Sequence, residues 1–288
     1  MLTIMHESRH ELPRPSRVPP LLGLIHPAPA AAVVLLAAAL ATILSAEGGK
    51  VDLARIGLVT LAIAGSQVLT GALNDWADRS RDAATGQSKP IPEGLVSPGA
   101  ALALAFAGAA VQIGASVPLG GTFLLLGGVA AGSAVAYDLW LSRTPASVIP
   151  YLVSFGVLPV WVAAGVDVPV DRVLPAVPLA GIFAAAAHLA NTLRDWDADA
   201  ADGSRSLAQV LGRRRSHLTA VTLTLGVGVG VGLALLAAGR LGPAVAAGGL
   251  IGLLAVAAAA RHASWLWRAQ LVAAVAWTVA WALSTRAG

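Results

Sequence analysis

Long apolar stretches separated by short polar connections dominate the chain. Nine stretches have about the 18–25 residues that a helix needs to cross the hydrocarbon core of a bilayer. They lie at about 20–45, 53–73, 99–116, 119–137, 147–166, 173–193, 217–238, 242–260 and 266–284. This pattern predicts an all-α integral membrane protein with nine transmembrane helices.

Composition and charge agree with a multi-pass protein of the cell membrane. The 288 residues are 57% hydrophobic and only 12% charged. With nine spans, about fourteen of the 19 Lys and Arg residues fall on the side that holds the N-terminus. The positive-inside rule places that side in the cytoplasm. The net charge of +4 is therefore a sign of topology, and no nucleic-acid partner is expected.

The segment before the first stretch, residues 1–19, is predicted to be a cytoplasmic tail. The apolar segment that follows it is too long for a signal peptide and lacks a clear cleavage pattern. Residues 20–288 are predicted to form one membrane domain, in which about 20–138 and 147–260 are an internal repeat. The chain has no cysteine, so disulfides and thiolate metal ligands are excluded.

One polar motif occurs twice, each time at the end of an apolar stretch, and the copies are 117 positions apart. Its members are spaced by four residues, which keeps them on one stripe of a helix. The copies are Asn74, Asp78, Asp82 and Gly86, then Asn191, Asp195, Asp199 and Gly203. The repetition predicts two facing acidic clusters, both on the cytoplasmic side.

Carboxylates crowd into these two windows. Seven of the fifteen acidic residues lie there: Asp75, Asp78, Asp82, Asp195, Asp197, Asp199 and Asp202. Such crowding is unfavourable without a cation, and oxygen-only ligand sets suit Mg²⁺, which substrate phosphate oxygens commonly complete. The clusters therefore predict a magnesium-bridged diphosphate ligand. A solvated acidic loop is the alternative, and the duplicated spacing disfavours it.

Basic and polar residues near the clusters are candidates for binding this ligand. Arg contacts phosphate oxygens bidentately, and Lys supplies a point charge. The candidate cations are Lys89, Arg143, Arg194 and Arg205, whereas Arg79 and Arg81 are interpreted as local counter-charges. The candidate polar groups are Asn74, Tyr137, His188, Asn191 and His26. For either histidine, a hydrogen-bonded core position is the alternative, and Asp138 is left open between a further ligand and an ordinary helix-end residue.

These motifs resemble those of the UbiA-type intramembrane prenyltransferases. Residues 74–82 are similar to the NDxxDxxxD motif of that family, and 89–94 to its basic-Pro-hydrophobic-Pro-x-Gly segment. Residues 191–199 and 203–208 resemble its DxxxD motif and the stretch after it, and 137–143 resemble the Tyr-containing segment between the two. The resemblance covers most of the chain from about 60 to 212.

The resemblance implies a fold of nine helices, arranged as two four-helix halves plus a last helix around a central cavity. It implies that Asp75, Asp78 and Asp82 hold one Mg²⁺ and that Asp195 and Asp199 hold another. Asn74 and Asn191 would complete or orient these sites. An isoprenyl diphosphate donor is ionised there, and its prenyl group passes to a small aromatic or lipid acceptor. Membrane lipids surround the protein.

Three positions depart from the family pattern. Many members carry Arg-Pro near the start of the first helix, where this chain has His26 and a proline. The lysine that usually follows the Tyr-containing motif is absent, which leaves Arg143 as the nearest substitute. The Gly-Lys of the second loop is Gly203-Ser204, which leaves Arg205. These changes bear on the acceptor and the rate more than on the reaction class.

Other membrane functions share parts of this pattern. A terpene cyclase of the same family would use the same ionisation. A membrane transporter has similar repeats, but its acidic residues usually lie near the bilayer midplane rather than at helix ends. The segment Asp199-Ala-Ala-Asp202-Gly203 begins like a CDP-alcohol phosphotransferase motif, yet no acidic residue follows Asp202. Prenyl transfer is therefore the predicted function.

Overall fold

The structure is a computed structural model that describes residues 19–194, 196–201 and 203–284. This part of the chain is helical apart from short connections. The helices are α1 (Pro20–Gly23), α2 (Pro27–Glu47), α3 (Leu53–Ala84), α4 (Pro98–Ser116), α5 (Gly121–Ala136), α6 (Ile149–Gly165), α7 (Ala176–Arg194), α8 (Trp196–Ala201), α9 (Leu207–Leu211), α10 (Arg213–Ala237), α11 (Pro243–Ala259) and α12 (Ala263–Ser284). The predicted N-terminal tail lies outside the described residues except for Pro19.

Each of the predicted spans from the second to the ninth coincides with one long helix, whereas the first is divided between α1 and α2. Within the described ranges, seven helical segments are long and apolar enough to cross a membrane, namely α2 to α7 and α10 with their flanking turns. Helix α11 is apolar but shorter. The all-α membrane architecture is thus confirmed, whereas the count of nine spans, the single domain and the internal repeat stay predictions.

Helix α3 extends well beyond its apolar stretch. Its start is capped by the Asp52 side chain, which accepts hydrogen bonds from the backbone N–H groups of Ala54 and Arg55. The apolar stretch is predicted to end at residue 73, but no Gly or Pro occurs between that residue and Gly86. Gly86 lies just after the end of the helix and has a φ of 67°, a left-handed conformation that is common where helices stop. The first acidic motif therefore lies on a helix.

The first apolar stretch is broken rather than continuous. Helix α1 ends at Gly23, and α2 begins at Pro27, which has no N–H to continue a preceding helix. His26 lies between them in the left-handed region with φ 49°, which non-glycine residues rarely adopt. The break places His26 between the two helices, where its N–H donates a hydrogen bond to the Gly23 carbonyl.

Glycine allows α3 to approach other segments closely. A methyl group at Gly65 would lie 2.6 Å from the Gln112 backbone nitrogen on α4, so these helices pack backbone to backbone. A methyl group at Gly71 would lie 2.8 Å from the Ile25 Cα. The α1–α2 break is thereby held against α3, one turn before Asp75.

Apolar side chains form two main cores. One joins α2, α3, α5 and α6, where Trp161 packs beside Phe123 with ring centroids 5.4 Å apart. The other joins α7, α10, α11 and α12 around Trp277. Within the Gly-rich run at 226–232, Gly228 leaves room for the Trp277 ring, because a methyl group there would lie 2.4 Å from it. Gly228 therefore serves close packing of α10 against α12.

The C-terminal ends of α3, α5 and α7 meet at one end of the bundle, called the motif end below. It is defined by the contact of Asn74 with Asp138 and by that of His188 with Ser147. The opposite end holds the start of α3, where the Arg55 side chain donates a hydrogen bond to the Gly165 carbonyl at 2.9 Å. Polar chemistry is therefore concentrated at one end of an apolar bundle.

Replacing Gly71 by Ala is expected to lower stability by about 1–3 kcal/mol, because the new methyl group meets backbone atoms that cannot move independently. Thermal unfolding in detergent measures the effect. Gly57→Ala, on the same helix with no neighbour within 4 Å, is the matched control. Equal stability of the two variants would contradict the close contact of the break with α3.

Candidate active site

Two buried carboxylates of the first motif share one ammonium group. Asp75 and Asp82 are 1% and 0% exposed. The Lys89 Nζ lies 3.0 Å from Asp75 Oδ1 and 2.9 Å from Asp82 Oδ2. Burial by itself would lower the pKa of Lys89, but the two carboxylates outweigh it and raise that pKa above its usual value. Lys89 is therefore a permanent cation between them.

The loop after α3 carries Lys89 into this position. Lys89 is followed by Pro90, whose ring contacts the position of Gly23, since a methyl group there would lie 3.0 Å from Pro90 Cγ. Ile91 is buried in a small core that also includes Leu24. Apolar packing on α1 thus fixes the loop, which places the ammonium over the carboxylates.

His26 also reaches Asp75. Its Nε2 lies 3.3 Å from Asp75 Oδ1, and its side chain is 39% exposed. The structure therefore places His26 at the first motif, where the sequence left a core position as the alternative.

Asp78 and its neighbours occupy a more open part of the motif. Arg81 pairs with Asp78 at 2.8 Å and lies 3.8 Å from Asp82. The Arg79 guanidinium lies 4.4 Å from the centroid of the Trp76 ring. In these contacts both arginines lie beside other groups of α3.

A third carboxylate comes from another helix. Directly after α5 the chain forms a π-helical turn, Tyr137–Leu141, closed by a hydrogen bond from the Ser142 N–H to the Tyr137 carbonyl. On this turn, Asp138 is 9% exposed and accepts a hydrogen bond from the Asn74 amide at 3.2 Å. The Tyr-containing segment is thus attached to the first motif.

Aromatic rings line the adjoining interior. Tyr151 stacks on His188 with centroids 4.3 Å apart, and Tyr137 meets both rings edge to face. Phe155, one turn after Tyr151 on α6, stacks on it at 6.2 Å. His188 is 4% exposed, and its Nε2 lies 3.2 Å from Ser147 Oγ. Sequence alone does not single out Tyr151 or Phe155, although their spacing of four residues on one helix is a weak signal.

The second motif begins at the end of α7. Asn191 is partly buried there, and Arg194 is exposed with its guanidinium 5.6 Å from the centroid of the Trp267 ring. Asp199 lies on α8 and is partly buried. Asp195 lies outside the described residues, so its predicted role stays a prediction.

The connection after the second motif docks on the segment between the motifs. The Arg205 N–H donates to the Arg143 carbonyl at 3.0 Å, and the Leu207 N–H donates to Ser147 Oγ at 3.3 Å. The side chains of Arg143 and Arg205 are exposed. The two predicted cations are therefore brought together through their backbones.

Carboxylate oxygens that could bind a metal ion are available at the first motif. The Oδ2 atoms of Asp75 and Asp138 are buried and lack a hydrogen-bond partner. In the part of the chain that the structure describes, no three carboxylates or imidazoles are close enough together to hold one metal ion. The carboxylates of the motif face Lys89, His26 and Arg81 instead.

Comparison with known proteins gives relatives of one kind. Residues 34–270 match the model of the UbiA prenyltransferase family. A digeranylgeranylglyceryl phosphate synthase from Natronomonas pharaonis is 31% identical over 164 residues, which are 55% of this chain and 58% of that protein. The chain therefore matches little more than half the length of this curated relative.

Solved structures share the fold. The apo structure of a UbiA homolog from Aeropyrum pernix K1 has a TM-score of 0.72 at 19% identity, covering 86% of this chain and 94% of that one. A UbiA homolog from Archaeoglobus fulgidus bound to GPP and Mg²⁺ has a TM-score of 0.64 at 15% identity, covering 91% and 98%. Since the family model spans most of the sequence, the chain belongs to the UbiA prenyltransferase family.

Proposed function

We propose that this protein is a magnesium-dependent membrane prenyltransferase that ionises an isoprenyl diphosphate at its motif end. The observation that carries the proposal is the buried pair Asp75 and Asp82 around Lys89, at the end of an apolar bundle. Ionisable groups in a membrane protein are costly and are usually kept for function. A transporter would use them near the midplane, whereas these lie in the C-terminal part of α3, beyond its apolar stretch and beside the loop that carries Lys89.

The relatives support a diphosphate donor. A UbiA homolog from Archaeoglobus fulgidus is bound to GPP and Mg²⁺ in one structure and to DMAPP and Mg²⁺ in another. Membership of the same family makes such an allylic diphosphate the donor class that we propose here. The donor chain length is left to experiment.

The donor chemistry of the first motif suits a magnesium ion, although its carboxylates are paired with Lys89, His26 and Arg81 in this structure and do not converge on one point. Carboxylate oxygens are the preferred protein ligands of magnesium, and Asp75 keeps a buried oxygen without a hydrogen-bond partner. We assign Asp75, Asp78 and Asp82 to one ion, and Asp195 and Asp199 to a second, with Asn74 and Asn191 beside them. When bound, magnesium supplies the positive charge that stabilises the departing diphosphate.

The chain's own cations share that task. Lys89 is already held beside the carboxylates, so it can contact diphosphate oxygens with a small shift of its flexible side chain. Arg143, Arg194 and Arg205 are assigned to the same ligand, because preorganised cations stabilise charge that develops on a leaving group.

The rings of Tyr137, Tyr151 and His188, called the aromatic cluster, form one wall of the space that we propose for the prenyl group. The Tyr137 ring is not stacked face to face on Tyr151 or His188, so its π face can attract a cation, while Tyr151 is stacked on His188 beside it. Tyr137 directly precedes Asp138, which contacts the first motif, so these rings lie beside that motif and would exclude water from an allylic cation formed there. Hydrolysis of the cation is thereby suppressed until the acceptor reacts.

We assign the acceptor to small aromatic or lipid molecules. The name of the Natronomonas pharaonis relative supports a glyceryl phosphate lipid as one acceptor to test. Capture of the cation within the prenyl chain itself, as in a terpene cyclase, would give a product without any acceptor. The masses of the products distinguish these routes.

We further propose that the motif end faces the cytoplasm. In the described connections, most Lys and Arg residues lie at this end, including Lys89, Arg143 and the run Arg213–Arg215. Few lie at the opposite end, which holds Lys50, Arg55, Arg172 and Arg240. The positive-inside rule then gives the orientation.

Asp78→Ala and Asp195→Ala are each expected to lower diphosphate release by about 100-fold or more, the range for removing a group that stabilises transition-state charge. Release from geranyl, farnesyl and geranylgeranyl diphosphates is measured with magnesium or EDTA, followed by mass analysis of the products. Asp171→Asn, exposed at the opposite end, is the control. Full activity of either Ala variant would overturn the site assignment, and no release by the wild type with any acceptor would overturn the function.

Lys89→Met should lower stability without magnesium by about 3–5 kcal/mol, because two buried carboxylates lose their counter-charge. Magnesium should then raise the unfolding temperature of Lys89→Met more than that of the wild type, since it supplies the missing charge. Lys89→Arg keeps the charge and is the control. A Met variant as stable as the wild type would show that Lys89 does not neutralise the pair.

The orientation can be read by labelling, since the chain has no cysteine of its own. Ser88→Cys lies in the loop at the motif end, and Asp171→Cys at the opposite end; both positions are exposed. In intact spheroplasts a membrane-impermeant maleimide should label only Asp171→Cys, and lysis should expose Ser88→Cys. The reverse pattern would place the motif end outside.

A further inference from the structure

Asp138 is a buried carboxylate that the family motifs do not assign. It is 9% exposed and lies on the π-helical turn Tyr137–Leu141, not on either acidic motif. Turns of this kind are rare and occur frequently at functional sites, because the extra residue redirects side chains within a helix. Here the turn brings a carboxylate from the end of α5 to the first motif on α3.

The two oxygens of Asp138 have different surroundings. Oδ1 accepts the hydrogen bond from the Asn74 amide at 3.2 Å. Oδ2 is buried and has no hydrogen-bond partner. An ionised carboxylate accepts hydrogen bonds and donates none, so a buried oxygen without a donor needs a cation or another donor. Asp138 is therefore incomplete as a purely structural group.

The bond to Asn74 also orients that amide. Since Asp138 only accepts, the NH₂ group of Asn74 faces it, and the Asn74 carbonyl oxygen is left on the other side of the amide. Asn74 directly precedes Asp75, whose own Oδ2 lacks a hydrogen-bond partner. Oxygen atoms that could bind a metal ion are thus supplied to the first motif by α3 and by the turn after α5.

Charge argues in the same direction. Asp138 is hydrogen-bonded to Asn74, the residue directly before Asp75, so it adds a carboxylate to an already acidic motif. The basic side chains found beside the first motif in the described residues include Lys89, His26 and Arg81, which lie next to Asp75, Asp78 and Asp82. A further cation beside Asp138 would balance the added charge.

We propose that Asp138 is an additional ligand of the divalent cation held at the first motif, binding through Oδ2 while Oδ1 holds Asn74 in its ligand orientation. The inference rests on the proposed magnesium site and adds a carboxylate that comes from outside both repeated motifs. The cation at the first motif is then bound between α3 and the turn after α5, so its binding also ties these two helices together.

The test measures metal binding without any substrate. Mn²⁺ alone is titrated into purified wild type, Asp138→Asn and Asp52→Asn, and the free Mn²⁺ signal is followed by electron paramagnetic resonance. Asp138→Asn should weaken binding about tenfold or more, in line with other losses around metal sites. Asp52→Asn removes the same charge from the other end of α3 and keeps a good helix cap, so its Mn²⁺ affinity should equal that of the wild type.

Thermal unfolding without metal separates ligation from a structural role. Asp138→Asn removes one of several crowded like charges, so its unfolding temperature should be unchanged or higher, while its increase on adding Mn²⁺ should be smaller than in the wild type. Lower stability without metal, combined with unchanged Mn²⁺ affinity, would show that Asp138 only supports the helix packing and would overturn the proposal.

The outcomes also distinguish this proposal from the proposed function. If the wild type and Asp138→Asn bind Mn²⁺ equally and the wild type releases diphosphate, only the assignment of Asp138 fails. If Asp138→Asn loses Mn²⁺ affinity but the wild type releases diphosphate from no donor, the assignment stands and the prenyltransferase function fails. If the wild type binds no Mn²⁺, the assignment of Asp138 fails with the metal site.

Discussion

The neutralisation of two buried carboxylates by one lysine is the interaction on which the motif end depends. Asp75 and Asp82 are almost without water contact, and Lys89 lies about equally close to both. Breaking such a buried pair is costly because the remaining charge stays desolvated. The loop that carries Lys89 must therefore pack firmly, which it does through Pro90 and Ile91 against the α1 region. The short first helix, the break at His26 and the loop form one unit with the end of α3.

The segment between the two motifs joins the rest of the site to this unit. Asp138 contacts Asn74 of the first motif, and Ser147 contacts His188 and the backbone of Leu207 beyond the second. Arg143 pairs with Arg205 through the backbone. A residue change in this segment is therefore expected to alter the positions of residues at both motifs. The aromatic cluster of Tyr137, Tyr151 and His188 lies against the same segment, which places the proposed prenyl wall directly beside the proposed diphosphate site.

Close helix packing supplies the rigidity that such a site requires. In lipid, helices gain little from burying apolar surface against each other, so contact between small residues carries much of the association. Gly65 on α3 meets α4 backbone to backbone, and Gly71 admits the α1–α2 break. The same helix that carries the first motif is thus held on two sides. Metal and diphosphate would then bind to groups that are already positioned, which lowers the reorganisation that ionisation requires.

Hydrophobic periodicity alone determined the long helices and their approximate positions, because spans of this length must satisfy their backbone hydrogen bonds internally. Repetition of the four-residue spacing also predicted two acidic motifs, and the first of them lies on one helix, since that spacing is a local property of a helix. Contacts between segments far apart in sequence were decided only by the tertiary structure. No local pattern places His26 beside Asp75, Asp138 beside Asn74, or Tyr151 on His188. Those pairs depend on a broken first helix, a π-helical turn and glycine contacts between helices, whose effect appears only when the helices pack together.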